Sequence, residues 1–274
     1  MQNHITTEEK VWDPSEIFDR SVDHKYAVII LNQPIRLHES FILPLWREAQ
    51  IKITVDGGTN RWMEYLGPLS NKIYDGKCPD YAPDMVTGDL DSILPEIRTN
   101  LENIGVRIYE TIDQQYTDFS KALMKLSAEC KSKNISLHSV YVLVETAGRL
   151  DQIIANINTL YRSREFMEDK TPVICISSNS LTWLLRSGEH RIKIPEKLRT
   201  CKSWVGLIPF GPQQNSISST GLKYNLDKLN CSFGGLISTS NTYDGSPEVT
   251  VTTNTDIIWT MSIESLVPLK TNFT

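Results

Sequence analysis

Residues 139–161 read SVYVLVETAGRLDQIIANINTLY. The opening SVYVLV is the strongest strand signal in the chain, rich in β-branched and aromatic residues. From Asp151 onward Ile153, Ile154, Ile157, Leu160 and Tyr161 recur at helical spacing on one face. A short apolar strand that passes through a glycine-containing loop into an amphipathic helix is one βα unit. The same alternation runs from residue 26 to about 176: YAVIIL, IKITV and PVICIS read as strands, and TDFSKALMKL as a helix with Phe119, Ala122, Leu123 and Leu126 on one face. Repeated βα units predict an α/β domain around a mostly parallel sheet.

After about residue 180 the helical period disappears. HRIKI, EVTVTT and DIIWTMSI alternate apolar and polar residues between turns of Gly, Asn and Pro, which predicts an all-β region, a sandwich. No repeat or low-complexity segment separates the halves, so the boundary is a change of period, expected between Ser177 and Arg191. The expected organisation is a polar N-terminal extension over 1–25, an α/β domain over 26–180 and an all-β sandwich over 181–274.

Composition narrows the function classes. The chain has 274 residues, 40% apolar and 22% charged, enough for one large or two modest folded domains. A net charge of −5 and no run of Lys and Arg give no footprint for nucleic acid or an anionic membrane, so small molecules are the expected partners. Cys78, Cys130, Cys175, Cys201 and Cys231 are odd in number and never spaced C-x-x-C, which suits a reducing compartment better than a disulfide framework or a zinc site. Residues 1–25 lack the basic start and apolar stretch of a secretory signal, and apolar runs such as YAVIIL are too short to span a bilayer; a cytoplasmic protein is expected.

In an open α/β sheet, ligands collect outside the carboxyl ends of the strands, where loops lead into helix N-termini. Four such junctions carry unusual residues. ITVDGGTNRW places Asp56 at a strand end, followed by Gly57 and Gly58, whose backbone can come close to a ligand; a tight turn explains the same residues. PDMVTGDLDSI, residues 83–93, sets Asp89 and Asp91 two apart with no Lys or Arg in the window. If that segment is extended, both carboxylates face one side. They would then suit Mg²⁺, which is held by one or two carboxylates, waters and substrate phosphates. The alternative is that Asp91 or Ser92 caps the next helix while Asp89 is solvated. DQQYTDFSKAL offers Thr117 as an N-cap and Asp118 in the first turn, an arrangement that capping alone explains. TAGRLDQ sets Gly148 and Arg149 where backbone N–H groups and a guanidinium could grip phosphate oxygens, or forms an ordinary loop capped by Asp151. Neither G-x-x-x-x-G-K-[ST] nor G-x-G-x-x-G occurs, and His4, His24, His38, His138 and His190 fall outside all four junctions.

Taken together, DGGTNRW, PDMVTGDLDSI, DQQYTDFSKAL, AGRLDQIIANINTL, GLIPFGP, TGLKYNL and LISTSNTYDGSPEVTV, in that order between about residue 26 and 262, resemble eukaryotic thiamine pyrophosphokinases. The resemblance implies an α/β domain followed by a β-sandwich, a homodimer with shared active sites, and transfer of pyrophosphate from ATP to the hydroxyl of thiamine with Mg²⁺, giving thiamine diphosphate and AMP. By position it implies Asp89, Asp91 and Asp118 as catalytic residues and magnesium ligands. It implies Asp56, Gly57, Thr117, Arg149, Asp151 and Gln152 around ATP, and Gln114, Tyr224, Ser240 and Asn241 around thiamine. Two departures stand out: Tyr224 replaces the tryptophan usual in animal members, and Val144 and Glu145 replace a usual glycine pair. Two other classes fit parts of the sequence. One is a phosphatase or other phosphotransferase built on an aspartate pair, which the weakly apolar run before Asp89 disfavours; the other is a catalytically silent nucleotide- or thiamine-binding module.

Overall fold

A computed structural model describes residues 9–18, 24–211 and 214–270. The chain divides into two units. One holds His24–Ser178 and the described residues from Pro268 onward; the other holds Asn179–Val267 and the described residues ahead of Asp23. The first strand, β1 (Lys10–Trp12), belongs to the second of these and pairs parallel with a later strand, Lys10 opposite His190. Part of the expected N-terminal extension is therefore sheet, because Trp12 is an apolar anchor in an otherwise polar stretch and is buried.

In the α/β unit, β2 (Tyr26–Ile30), β3 (Ile51–Val55), β4 (Met85–Gly88), β5 (Arg107–Glu110), β6 (Ser139–Leu143) and β7 (Val173–Ile176) form an all-parallel sheet in the order β7-β6-β2-β3-β4-β5. The strands β2 and β6 are buried along their whole length, as parallel strands covered on both faces are, so their sequences run apolar without alternation. The strands β4 and β5 are four residues each, MVTG and RIYE, too short for a period to show. With β3 and β6 on either side of β2, the chain leaves β2 in one direction and returns in the other. That reversal opens a crevice at the carboxyl ends of the strands.

The helices of this unit are α1 (Glu39–Arg47), α2 (Gly58–Leu66), α3 (Leu69–Tyr74), α4 (Pro95–Asn103), α5 (Asp118–Lys133) and α6 (Leu150–Phe166). The start of α2 lies hard against the end of β2: a Cβ on Gly58 would stand 2.6 Å from the Ile30 carbonyl oxygen. That glycine makes room for backbone, not for a ligand. In α5, Phe119, Ala122, Leu123 and Leu126 are all buried, as their spacing predicts. The expected apolar face of α6 is buried only in its second half. Leu160 is in the core, but Ile154 is 43% exposed, while α6 packs along α5.

The second unit contains α7 (Glu196–Thr200), β8 (Ser180–Leu185), β9 (Gly188–Lys193), β10 (Trp204–Ile208), β11 (Asn215–Thr220), β12 (Leu229–Cys231), β13 (Ser238–Thr242), β14 (Glu248–Thr253) and β15 (Ile257–Ser262). One sheet runs β1-β9-β14-β11-β12 and the other β13-β10-β15-β8. Burial alternates along β11 and β14, the mark of a sheet with one face inward. The ring of Trp12 in one sheet lies tilted 5.4 Å from that of Trp183 in the other, and Trp183 lies 6.0 Å from Trp259, so indoles fill the space of a sandwich. Residues 268–270, expected in the all-β half, return to the α/β unit: Leu269 bridges Leu37, and the His38 amide donates to the Pro268 carbonyl at 3.0 Å.

Candidate functional site

Asp56 follows β3 with a left-handed backbone, φ 46. Its amide donates to the Thr87 carbonyl at 2.7 Å, and its own carbonyl accepts from the Thr59 amide at 2.9 Å. Its carboxylate Oδ1 accepts from the Ser92 amide at 3.0 Å. These bonds hold a buried aspartate in a conformation that costs about 1–3 kcal/mol. Gly88 ends β4 at φ 136, and a Cβ there would lie 2.8 Å from the Asp56 Cβ. Only glycine lets the end of β4 pass beside Asp56. Leu90 follows in the left-handed region at φ 63, with its side chain buried.

The backbone from Gly88 to Asp91 leaves the extended conformation at Leu90, which corrects the geometry expected for Asp89 and Asp91. Their carboxylates converge on either side of this left-handed residue, not through the two-residue period of a strand. Ligand oxygens of Asp56, Asp89 and Asp91 all lie within 4.8 Å of one another. The capping alternative also falls. Helix α4 begins at Pro95 with Leu94 as N-cap and no side-chain cap, while the Ser92 hydroxyl donates to Asp91 Oδ1 at 2.7 Å.

Thr117 caps α5, accepting from the Ser120 amide at 3.1 Å. Asp118 occupies the first turn. Burial pushes its carboxyl above the usual carboxylate range; the buried Lys121 ammonium, 3.1 Å away, opposes this, and the Asp89 and Asp56 charges add to it. Lys121 also donates to the Thr111 carbonyl at 2.9 Å.

One cavity of about 340 Å³ in the α/β unit is lined by Asp56, Asp89, Asp91, Thr117, Asp118 and Gln152 of the expected residues. Asn32, Gln33 and Asn156 line it too, and sequence reasoning missed them. The signal was present: Asn32 and Gln33 follow the strand YAVIIL just as Asp56 follows IKITV. Gln33 donates to the Gln152 side chain at 3.0 Å. Gly57 is at the foot of α2, where a Cβ would strike the Asn32 side chain at 2.3 Å. Gln114 is exposed, outside the cavity lining. Arg149 and Asp151 are exposed as well, and the Arg149 Nε donates to Asp151 at 3.1 Å. Glu145, two residues past β6, is buried and accepts from the Ser178 amide and hydroxyl at 3.2 and 2.8 Å. Burial raises its pKa, against those bonds and the Arg36 charge. It braces the end of β6 against Ser178, two residues past β7.

In the β unit Tyr224 is 61% exposed, with the Lys223 ammonium 5.1 Å from its ring centre. Asn241 is buried, and its amide closes on the Tyr224 backbone: Oδ1 accepts from the Tyr224 amide at 3.2 Å, and Nδ2 donates to the carbonyl at 2.8 Å. Ser240, exposed and at φ 56, precedes it.

Residues 42–174 match the thiamin pyrophosphokinase catalytic domain, and residues 189–258 the vitamin B1 binding domain of thiamin pyrophosphokinase. Thiamine pyrophosphokinase 3 of Oryza sativa subsp. japonica is 35% identical over 246 residues, 87% of either chain. Thiamine pyrophosphokinase 1 of Arabidopsis thaliana is 31% identical over 250 residues, 90% of this chain and 89% of its own. Among solved structures, yeast thiamin pyrophosphokinase superposes with a TM-score of 0.80 at 20% identity, over 97% of this chain and 95% of that one, and so shares the fold. A catalytic α/β domain joined to a vitamin-binding β domain defines a transferase of the kinase class. The chain belongs to the thiamine pyrophosphokinase family.

Proposed function

We infer that the protein is a Mg²⁺-dependent thiamine pyrophosphokinase: it transfers the pyrophosphoryl group of ATP to the thiamine hydroxyl and releases AMP. The observation that carries this reading is the convergence of Asp56, Asp89 and Asp91 in a cavity at the carboxyl ends of parallel strands, in a chain of this family. The donor set fits magnesium: it is all carboxylate oxygen, hard and anionic, with neutral amides from Asn32, Gln33 and Gln152 around the same cavity. Asp56 joins Asp89 and Asp91 in that role. Asp118 lines the cavity but is tied to Lys121, and its contribution is to orient the thiamine hydroxyl or accept its proton.

The residues mainly position reactants and offset charge. A bound Mg²⁺ supplies neutralisation of charge on the phosphate oxygens. Asn32, Gln33 and Gln152 offer neutral hydrogen bonds to nucleotide oxygens. Arg149, on an exposed loop, can exchange Asp151 for a phosphate oxygen. Tyr224 presents a ring face to the thiazolium cation, an attraction of roughly 0.5 to 2 kcal/mol, and Asn241 fixes the backbone that carries it.

Chromatography of the nucleotide products tests the reading. AMP should form only when thiamine and Mg²⁺ are both present. ADP or free phosphate instead would make the protein a phosphatase or another phosphotransferase, and no turnover would make it a binding module. The reading includes a homodimer in which each site takes its carboxylates from one chain and Tyr224 from the other. Refolding a mixture of Asp91→Asn and Tyr224→Ala chains, each nearly inactive at low thiamine, should then restore activity at that thiamine level; activity no higher than that of the separate variants would overturn the shared arrangement. The reading also places the enzyme in the cytoplasm, consistent with the free thiols of all five cysteines.

A further inference from the structure

The loop that bears Asp91 is held by few atoms. Leu90 anchors one end through its buried side chain, and α4 begins only at Pro95. Between them the Asp91 amide has a single long bond, 3.5 Å, to Asp89 Oδ1. The Ser92 amide is bound by Asp56 Oδ1, an oxygen of the carboxylate cluster itself. The buried side chain of Ile93 and the Ser92 hydroxyl, 2.7 Å from Asp91 Oδ1, hold the loop from within, and α2 fastens its backbone from outside. There Asn60, half-buried, donates from Nδ2 to the Ser92 carbonyl at 2.7 Å and accepts at Oδ1 from the Leu94 amide at 3.0 Å. A primary amide can satisfy both groups at once, because it carries a donor and an acceptor side by side. Being neutral, it does so without adding to the repulsion among three carboxylates.

We propose that Asn60 is a positioning residue for the carboxylate cluster, locking backbone 92–94 so that Asp91 stays within reach of Asp56 and Asp89. The inference rests on the reading of that cluster as a divalent-cation site. It extends the site to a residue outside the cavity lining. Asp56 cannot serve as the only brace, because the same carboxylate faces the cation; Asn60 keeps the loop in place whether or not the site is filled.

The test uses the full chain and Asn60→Ala, which removes both bonds at a half-buried helix position where alanine is well tolerated. Asn60→Asp is a second variant, keeping the acceptor for Leu94 but setting an oxygen against the Ser92 carbonyl. Mn²⁺ binding is titrated by its paramagnetic signal, amide exchange is followed over residues 91–94, and half-saturating Mg²⁺ and the thiamine KM are measured where turnover exists. Asn60→Ala should weaken Mn²⁺ binding by about 10-fold or more, the usual range for residues that orient metal ligands. Half-saturating Mg²⁺ should rise in step, exchange over 91–94 should quicken in both variants, and the thiamine KM should stay within about twofold of wild type. A purely structural contact would lower the melting temperature and leave cation affinity where it was. Mn²⁺ affinity in Asn60→Ala within twofold of wild type overturns the proposal. If the wild-type chain binds Mn²⁺ but makes no AMP, the functional reading fails while the titration still judges Asn60. If it binds no Mn²⁺, the cluster is no cation site and the proposal fails with it.

Discussion

The loop from Gly88 to Leu94 and the segments around Tyr224 and Asn241 meet opposite physical demands. The first gathers like charges. Three carboxylates approach within 4.8 Å, and the backbone that brings them together is left-handed at Asp56 and Leu90 and open only to glycine at position 88. The second displays a ring. Tyr224 is largely exposed, while the buried Asn241 holds the tyrosine's backbone from behind. Bringing repelling groups together takes strained backbone and several anchors, so a change to that backbone should cost shape and chemistry together. Presenting an aromatic face takes only a fixed main chain, so recognition and stability can reside in different residues.

The sharpest way to break this comparison is to neutralise the charges. Asp89→Asn and Asp91→Asn keep volume but remove charge, and each should lower AMP formation by more than about 100-fold with the melting temperature within about 3 °C of wild type. If these variants melt far lower while each folded molecule stays fully active, the two aspartates serve the fold alone. Next in size is Gly88→Ala. Its Cβ would strike Asp56 at φ 136, so stability should fall by about 1–3 kcal/mol and turnover should fall with it. A stable, fully active variant would show that the loop tolerates a different path.

In the β unit the two effects should separate. Asn241→Ala leaves the Tyr224 amide and carbonyl without their partner and should cost about 1–3 kcal/mol in denaturant unfolding. Tyr224→Ala should leave stability nearly unchanged and raise the thiamine KM by about 2- to 30-fold, the equivalent of a cation–π contact, with kcat at saturation preserved. Equal losses of stability in both variants would contradict the division. The smallest effect concerns acid. His190, whose Nδ1 accepts from the Trp12 indole at 3.1 Å, is kept neutral chiefly by burial, which lowers its pKa. The unfolded chain then takes up the proton first, so the β unit should lose stability as pH falls below the ordinary histidine value near 6.5. Unfolding midpoints between pH 7 and 5 should slope less in His190→Gln; identical slopes would remove His190 from the account.

Much of the architecture was legible in local pattern. The strands YAVIIL, IKITV, SVYVLV and PVICIS and the helix from Asp118 stand where periodicity puts them, because a strand covered on both faces must be apolar throughout and a helix on a sheet must repeat its apolar residues. The strands β4 and β5, MVTG and RIYE, are as short as VICI of β7 but mix polar with apolar residues, which hid them. The strand β1 was concealed for a related reason: three residues with a single buried tryptophan do not stand out from a polar stretch. The aspartates at the strand ends could be found from residue type and place in the chain. Asn32 and Gln33 could have been found by applying the same strand-end rule to every strand, but a neutral amide draws less notice than a charge.

The sequence by itself determined the two-part organisation, the parallel α/β character of the first part, and the candidate residues Asp56, Asp89, Asp91 and Asp118. The organisation follows from the identity and spacing of near neighbours, whereas the four aspartates are singled out by their places at junctions together with the family resemblance of the motifs that carry them. Only tertiary structure decided how the carboxylates meet. Asp56 and Asp89 come together because β3 and β4 pair in parallel, and Asp91 joins them because the chain turns at Leu90, a conformation that no two-residue period can express. The same holds for Asn60 and Ser92, 32 residues apart, and for Tyr224 and Asn241, 17 apart. A hydrogen bond between distant residues depends on the path of the whole chain, and local propensity carries no information about it.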